Sequence, residues 1–505
     1  MRFVLHTALP LLLAPAAVAQ FAPSQIIGSV DGAISTRTMD VNGDGRTDVV
    51  IGSFFGAFWL ENLGGAGFGS VQTIANGYSD VRGVRLADID EDGDLDPFLS
   101  AASNDVVVWF ENLGGGAFGP EQPVAAIDGA FAAEAGDLNG DGHLDMLVAG
   151  YNADTVAWYS GDGLGGFQFV ANLATGFDGA RDVALTDVDG DGDLDAIAGA
   201  EFDDRIDWFR NDGAGSFSAP ILLTTGTNGF SSLSIADLDG DGREDVLSTS
   251  FEDDKLAWYR NTGNGFGTQQ LISNLSADPF DTTAADLDYD GVQDVIVANR
   301  TGDSIAWHKG FGMGFFGQAQ VLGSGSQHNG ASSVWVSDLD SDGDRDVIGG
   351  IFFSDRVMWY ESIAELGAVY CAGEANSTGM PGRIAVTGSP NAADNSVALN
   401  AEDLPLTQFG FFVTSTTQGF VANPGGSQGN LCLAGAIGRY NRAGEVLFTG
   451  IFGTMLLPID LTDTPLPLGT TSVMAGETRN YQAWYRDSNP GSTSNFTDAV
   501  SVTWQ

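Results

Sequence analysis

Seven acidic nonapeptides set the strongest limit on what this chain can fold into. They read DVNGDGRTD from Asp40, DIDEDGDLD from Asp88, DLNGDGHLD from Asp137, DVDGDGDLD from Asp187, DLDGDGRED from Asp237, DLDYDGVQD from Asp286 and DLDSDGDRD from Asp338. Successive starts lie 48, 49, 50, 50, 49 and 52 residues apart. A period near fifty marks a propeller or a solenoid, because one such unit cannot bury its apolar face alone.

The rest of each unit repeats as well. An apolar run such as DVVIGS, DMLVAG or DVIVAN follows the acidic loop, and a polar turn leads to a strand with one tryptophan: Trp59, Trp109, Trp158, Trp208, Trp258, Trp307 or Trp359. Six units continue through a Gly-rich hairpin into a strand opened by phenylalanine, as in NLGGAGFGSVQTI and NTGNGFGTQQLI. An apolar strand such as GVRLAD or SLSIAD precedes the loop. Each unit therefore reads as four short antiparallel strands, with no helical period.

Tandem four-stranded units describe propeller blades, so the expected fold is all-β: a seven-bladed β-propeller. The seventh unit runs WYESIAELG after its tryptophan and never reaches its hairpin. FAPSQII, from Phe21 to Ile27, matches FGSVQTI from Phe68, FGTQQLI from Phe266 and FGQAQVL from Phe316, each with Gln at the fifth place. The N-terminal segment is thus expected to complete the last blade as a velcro strand and so remove an open sheet edge.

Within the loops, alternate positions converge oxygen atoms on one point. Position 1 is Asp40, Asp88, Asp137, Asp187, Asp237, Asp286 or Asp338, and position 3 is Asn42, Asp90, Asn139, Asp189, Asp239, Asp288 or Asp340. Position 5 is Asp44, Asp92, Asp141, Asp191, Asp241, Asp290 or Asp342, and a glycine follows it every time. Position 7 (Arg46, Asp94, His143, Asp193, Arg243, Val292 or Asp344) is expected to offer its backbone carbonyl. Position 9 (Asp48, Asp96, Asp145, Asp195, Asp245, Asp294 or Asp346) closes the shell. Hard oxygen donors on a flexible loop favour Ca2+ over Mg2+, and the lack of thiolate and imidazole sets argues against zinc or copper. An EF-hand would need a Glu at position 12 and flanking helices, whereas a buried-strand pattern follows here.

These loops, the tryptophan strand and the Gly-x-Gly-x-Phe hairpin resemble the FG-GAP/VCBS repeat family, found in integrin α-chains and many secreted bacterial proteins. The resemblance covers roughly residues 21–363 and implies about seven calcium-loaded sites, one per blade. Seven equivalent closed shells suit fold stabilisation, since a catalytic metal keeps an open position.

Charge and the chain ends bound the function. With 20 Lys+Arg against 67 Asp+Glu, the formal net charge is -47. That argues strongly against nucleic acid or anionic membrane as a direct partner and suits a cation-binding protein. MRFVLHTALPLLLAPAAVAQ has the basic start, apolar core and Ala-Val-Ala site of a signal peptide, residues 1–19. The apolar run is too short to span a bilayer. The mature chain is expected to be monomeric, and secreted or held at the cell surface.

The face opposite the calcium loops carries its own repeat, an Asp four residues before the tryptophan: Asp105, Asp154, Asp204, Asp254, Asp303 and Asp355. Blade one has Phe55 instead. These aspartates either cap their own turns or line a ring for carbohydrate hydroxyls, cations or a basic partner. The strict register of the tryptophans points to packing between blades. His308 and His328 break the repeat and add candidates to the ligand face.

From residue 366 to 505 the period vanishes, and spaced strands without a repeat suggest a β-sandwich following the propeller of residues 20–365. Cys371 and Cys432 are the only cysteines, and an oxidising compartment would join them in a disulfide. The combination YC…NSTG…GNLCL…QAWYRD…NFTDAVSV resembles an unnamed C-terminal module of secreted bacterial proteins and implies no particular activity. The whole reads as a secreted or surface-associated binding or adhesion module for carbohydrate or protein, and not an enzyme. The alternative is a polysaccharide lyase or hydrolase using His308 or His328. Acidic sugar would need a cationic cleft, and no nucleophile motif occurs.

Overall fold

The computed structural model describes residues 21–64, 67–288, 291–341, 344–362, 366–388, 392–393, 395, 397–450, 453–487 and 493–504. The expected signal peptide and loop residues Asp290 and Asp342 lie outside them. The described residues form two compact units, one of Phe21–Ser362 and one of the residues after it.

The larger unit holds seven four-stranded antiparallel sheets in a propeller-like arrangement. The first strands are Ala33–Met39, Val81–Ala87, Ala130–Gly136, Ala180–Thr186, Phe230–Ala236, Pro279–Ala285 and Ala331–Ser337. Each contacts the next in chain order. The seventh returns to the first: Thr36 Oγ1 and Ser333 Oγ lie 3.1 Å apart, and Ser332 Oγ donates to the Ala33 carbonyl at 2.8 Å. In all seven sheets the register between first and second strands shifts after the opening residue, as at Ala33/Ser35. Such a bulge strengthens the local twist.

The second strands, DVVIGS and its counterparts, are buried along their full length in every sheet. That explains why they read as continuous apolar runs rather than alternating ones. The seventh sheet takes its outer strand from Gln25–Gly28, with Gln25 opposite Trp359 and Ile26 opposite Met358. A bridge between Phe21 and Ser362 extends the pairing.

The repeated tryptophans are buried, and several pack between sheets. The rings of Trp59, Trp109, Trp158 and Trp258 lie against Gly116, Gly165, Gly215 and Gly314 in the hairpin of the following sheet. A Cβ at any of these glycines would overlap the indole, and all four have φ between +72° and +83°, hence Gly in both respects. Trp109 Nε1 also donates to the Gly165 carbonyl at 3.0 Å.

The second unit contains a sheet of Ala368–Cys371, Thr493–Thr503, Thr478–Asp487 and Phe409–Ser415, edged by Gly438–Arg439 and Leu447–Phe448. A second sheet joins Arg383–Gly388, Val397–Glu402 and Met455–Ile459. Both contribute to one core, in which Val386, Leu399 and Leu457 meet Phe412, Tyr481 and Val500. A disulfide links Cys371 to Cys432. Among the described residues, no helix is long and apolar enough to cross a membrane.

Candidate metal loops and the opposite face

Each acidic loop connects the first and second strands of its sheet and is folded by its own carboxylates. In the loop from Asp187, Oδ1 of Asp187 accepts the Gly190 N–H at 2.8 Å and Oδ2 accepts the Gly192 N–H at 2.9 Å. Asp191 Oδ1 takes the N–H of Asp193 at 3.2 Å. The glycine at position 6 has φ between +85° and +102° wherever described, which makes it the residue suited to that place.

The ninth aspartate is completely buried in every loop. One oxygen accepts the N–H of loop position 2 and the other an N–H just past the tryptophan strand. Asp195 does this with Val188 at 3.2 Å and Asn211 at 2.7 Å. Asp48 binds Val41 and Asn62, Asp245 binds Leu238 and Asn261, and Asp346 binds Leu339 and Ser362 in the same way. Burial pushes these carboxyls up, against the pull of the two hydrogen bonds: to about 6 for Asp195, about 7 for Asp96 and about 8 for Asp346.

Positions 1, 3 and 9 come together. Asp88, Asp90 and Asp96 can bring one oxygen each within 4.8 Å of the others, as can Asp187, Asp189 and Asp195, Asp237, Asp239 and Asp245, and Asp286, Asp288 and Asp294. Several Asp clusters can therefore hold a metal ion.

On the opposite face, the six turn aspartates have φ between +47° and +59°. Their Oδ1 atoms reach the next sheet rather than only their own turns. Asp105 accepts the N–H of Gly129, Asp154 that of Gly179, Asp204 that of Gly229 and Asp254 that of Asp278. Asp303 takes Gly330, and Asp355 takes Gly32 across the join between the last and first sheets. The repeated acid is a clip between neighbouring sheets. In the first sheet Phe55 replaces it, and with Phe54, Phe352 and Phe353 it lines an apolar hollow beside Asp31 and Asp355.

His308 and His328 are both buried. Nδ1 of His308 lies 3.0 Å from the Gly317 carbonyl and Nδ1 of His328 lies 3.1 Å from the Ser324 carbonyl. Burial lowers the pKa of both imidazoles. His308 lines a cleft with Asn299, Ser304 and Leu275, while the His328 ring packs beside Tyr360.

The model of the FG-GAP-like repeat matches residues 40–99, 98–148, 137–198, 187–248, 237–297 and 286–349. The chain belongs to the FG-GAP-like repeat family. No curated protein matches it. Among solved structures it is similar to an Agrocybe aegerita lectin that recognises non-reducing terminal N-acetylglucosamine. The identity is 22%, the TM-score is 0.46, and 58% of this chain and 81% of the lectin are covered. The Photorhabdus luminescens Tc holotoxin pore matches at 18% identity and a TM-score of 0.37, over 76% of this chain and 20% of the toxin chain.

The FG-GAP loops fit a hard divalent cation. Besides the convergent carboxylates, Asp88 Oδ1, Asp90 Oδ1, Asp94 Oδ1 and Asp189 Oδ1 are buried without a hydrogen-bond partner. A buried carboxylate oxygen left so is costly unless a cation meets it. Positions 1, 3 and 9 would hold the ion, and it would supply the charge that offsets their repulsion.

A further constellation was not read from the repeats. Arg82 and Arg181 occupy the second place of their strands, where other FG-GAP units carry Phe131, Phe280 or Ser231, and Arg300 follows a second strand. They line a pocket of about 710 Å3 on the turn face with Phe131, Tyr151 and Phe251. Arg181 stands 5.1 Å from the Phe131 ring and 5.0 Å from Phe280, and Arg300 stands 4.3 Å from Phe280. Arg181 pairs with Glu201 and Arg300 with Asp278. The departure of these arginines from the repeat was the available signal.

Proposed function

We propose that this chain is an extracellular binding module: a ring of seven calcium-stabilised blades followed by a β-sandwich, which takes a carbohydrate on the turn face. The arginine–aromatic pocket carries this reading. Its size falls in the range of small-ligand sites. Its arginines already have carboxylate partners, so it offers donors and acceptors beside aromatic rings without a large net charge. That combination suits the hydroxyls and apolar faces of a neutral sugar better than a polyanion. Three repeat-breaking arginines gather here, whereas the repeated aspartates serve as clips between sheets.

We read the module as non-catalytic, since each of the two histidines has one ring nitrogen beside a backbone carbonyl and both sit in buried surroundings. The disulfide is in keeping with an exported protein. A glycan array probed with the full chain, in calcium and in EGTA, tests the reading. The expected result is a defined glycan set whose binding falls at least about tenfold in Tyr151→Ala, with an unchanged melting temperature. Glycan binding that is indifferent to Tyr151 and Arg300 would move the site elsewhere, and an array without hits would favour a protein ligand.

A further inference from the structure

The residue two places after each repeated tryptophan lies beside the acidic loop, and its charge changes from sheet to sheet. In the fourth sheet Arg210 pairs through Nε with Asp189, and its Nη2 lies 3.3 Å from Asp191 Oδ2. In the fifth, Arg260 Nε lies 2.6 Å from Asp239 Oδ2 and Nη2 lies 2.9 Å from Asp241 Oδ2. In the sixth, Lys309 pairs with Asp288, and both side chains are buried, at 6% and 1% exposure. Each of these cations engages the position-3 carboxylate, a member of the convergent trio. Two arginines within the loops differ: Arg46 and Arg243 pair with the position-5 residues Asp44 and Asp241.

The first, second and seventh sheets reverse the sign. Glu61, Glu111 and Glu361 stand at the same register. Glu111 forms its own convergent group with Asp90 and Asp92, and Glu61 accepts from Asn42 Nδ2 at 3.2 Å. The third sheet has neutral Ser160 there.

We infer that the seven loops form two classes of cation site: those at 187–195, 237–245 and 286–294 carry a tethered counter-cation and bind calcium more weakly than the other four. The inference rests on the calcium reading of the loops. An ion entering the trio must share or displace a carboxylate already engaged by a guanidinium or ammonium, and it meets that positive charge at close range. Where glutamate stands instead, it meets one more hard oxygen. The same cations offset carboxylate repulsion without metal, so these three loops hold their form when calcium is removed. Arg210 and Arg260 are about half exposed and can swing aside, whereas Lys309 cannot do so as freely.

Calcium titration of the metal-free full chain by isothermal calorimetry tests this, with hydrogen exchange in EGTA as a second readout. Two groups of sites are expected, four tight and three at least about tenfold weaker. Arg210→Gln and Arg260→Gln are each expected to move one site into the tight group, and Glu111→Lys to move one out. In EGTA, amides of 187–195 and 237–245 are expected to stay protected while those of 88–96 exchange faster. Arg210 is solvent-facing, so its variant reports even where Lys309→Gln fails to fold. Seven indistinguishable sites, or Arg210→Gln and Arg260→Gln both leaving the tight count unchanged, would overturn the two classes and leave the calcium reading standing. No calcium uptake at any loop would overturn both.

Discussion

Asp195 accepts the backbone N–H of Asn211 at 2.7 Å through one carboxylate oxygen, sixteen residues away along the chain. Its other oxygen holds the N–H of Val188 at the loop's start. The side chain at the end of an acidic loop is thus also the buried clasp that ties the loop to the end of the tryptophan strand. The candidate metal cluster and the sheet architecture share a residue, through which an ion held there would act on the fold.

Asp195→Ala should therefore damage the fold and not only one site. It strands two buried N–H groups, and at roughly 1–3 kcal/mol for each buried group left unpaired the expected loss is about 2–6 kcal/mol. Urea unfolding in saturating calcium measures it. A loss below about 0.5 kcal/mol would show that the clasp is dispensable.

The clips between sheets give a second, independent test. Asp204 has φ +52° and accepts the Gly229 N–H at 2.9 Å. Asp204→Ala loses the acceptor and sets an unsuited residue in the left-handed region, for an expected cost of about 2 kcal/mol. Asp204→Asn keeps an acceptor and tolerates that backbone, so it should stay within about 0.5 kcal/mol of the parent. Equal losses in the two variants would contradict the clip.

The repeated features were the legible ones. The acidic loops, the tryptophan strands and the outer strand supplied by FAPSQII could be placed from the sequence because each is copied in register and each copy must satisfy the same packing. What the repeat hid was the destination of a hydrogen bond. Asp105 and its counterparts read as turn caps or ligand groups, since nothing local reveals that Oδ1 reaches a connector 24 to 27 residues further on or, for Asp355, the connector at Gly32 near the start of the chain. The low overall count of basic residues also concealed Arg82, Arg181 and Arg300, which come from separate sheets and meet only in the fold.

The N-terminal strand predicts a topological effect. Gln25–Gly28 pairs with Arg356–Tyr360, and removing residues 21–28 would bare that strand's edge. The truncated chain should melt at lower temperature and self-associate in a concentration-dependent way, because an open edge templates pairing. Sedimentation velocity checks this. A truncated chain that remains monomeric with an unchanged melting temperature would contradict the closure.

Acidity should affect the calcium-free protein in an unusual direction. Asp48, Asp195 and Asp245 are pushed up to about 6, Asp96 and Asp294 to about 7 and Asp346 to about 8, with burial the largest cause, against 3.8 as the ordinary value. The folded protein holds these protons to higher pH than the unfolded chain does. Their contribution is fully present below the unfolded value and is lost as pH rises through about 6 to 8. In EGTA the melting temperature should therefore fall between pH 5.5 and 8.5, roughly the window of those titrations. Saturating calcium keeps the carboxylates ionised and should flatten the fall. A melting temperature in EGTA that climbs over the same interval would contradict the assignment.

The most direct measurement is the melting temperature of the full chain at pH 7.5 in millimolar calcium and again in excess EGTA. With a net charge of -47 and seven acidic loops, several of which bring carboxylates together, chelation should lower the transition of the propeller-like unit by at least about 10 °C. An unchanged melting temperature would contradict the claim that metal ions in these loops hold the ring of sheets together.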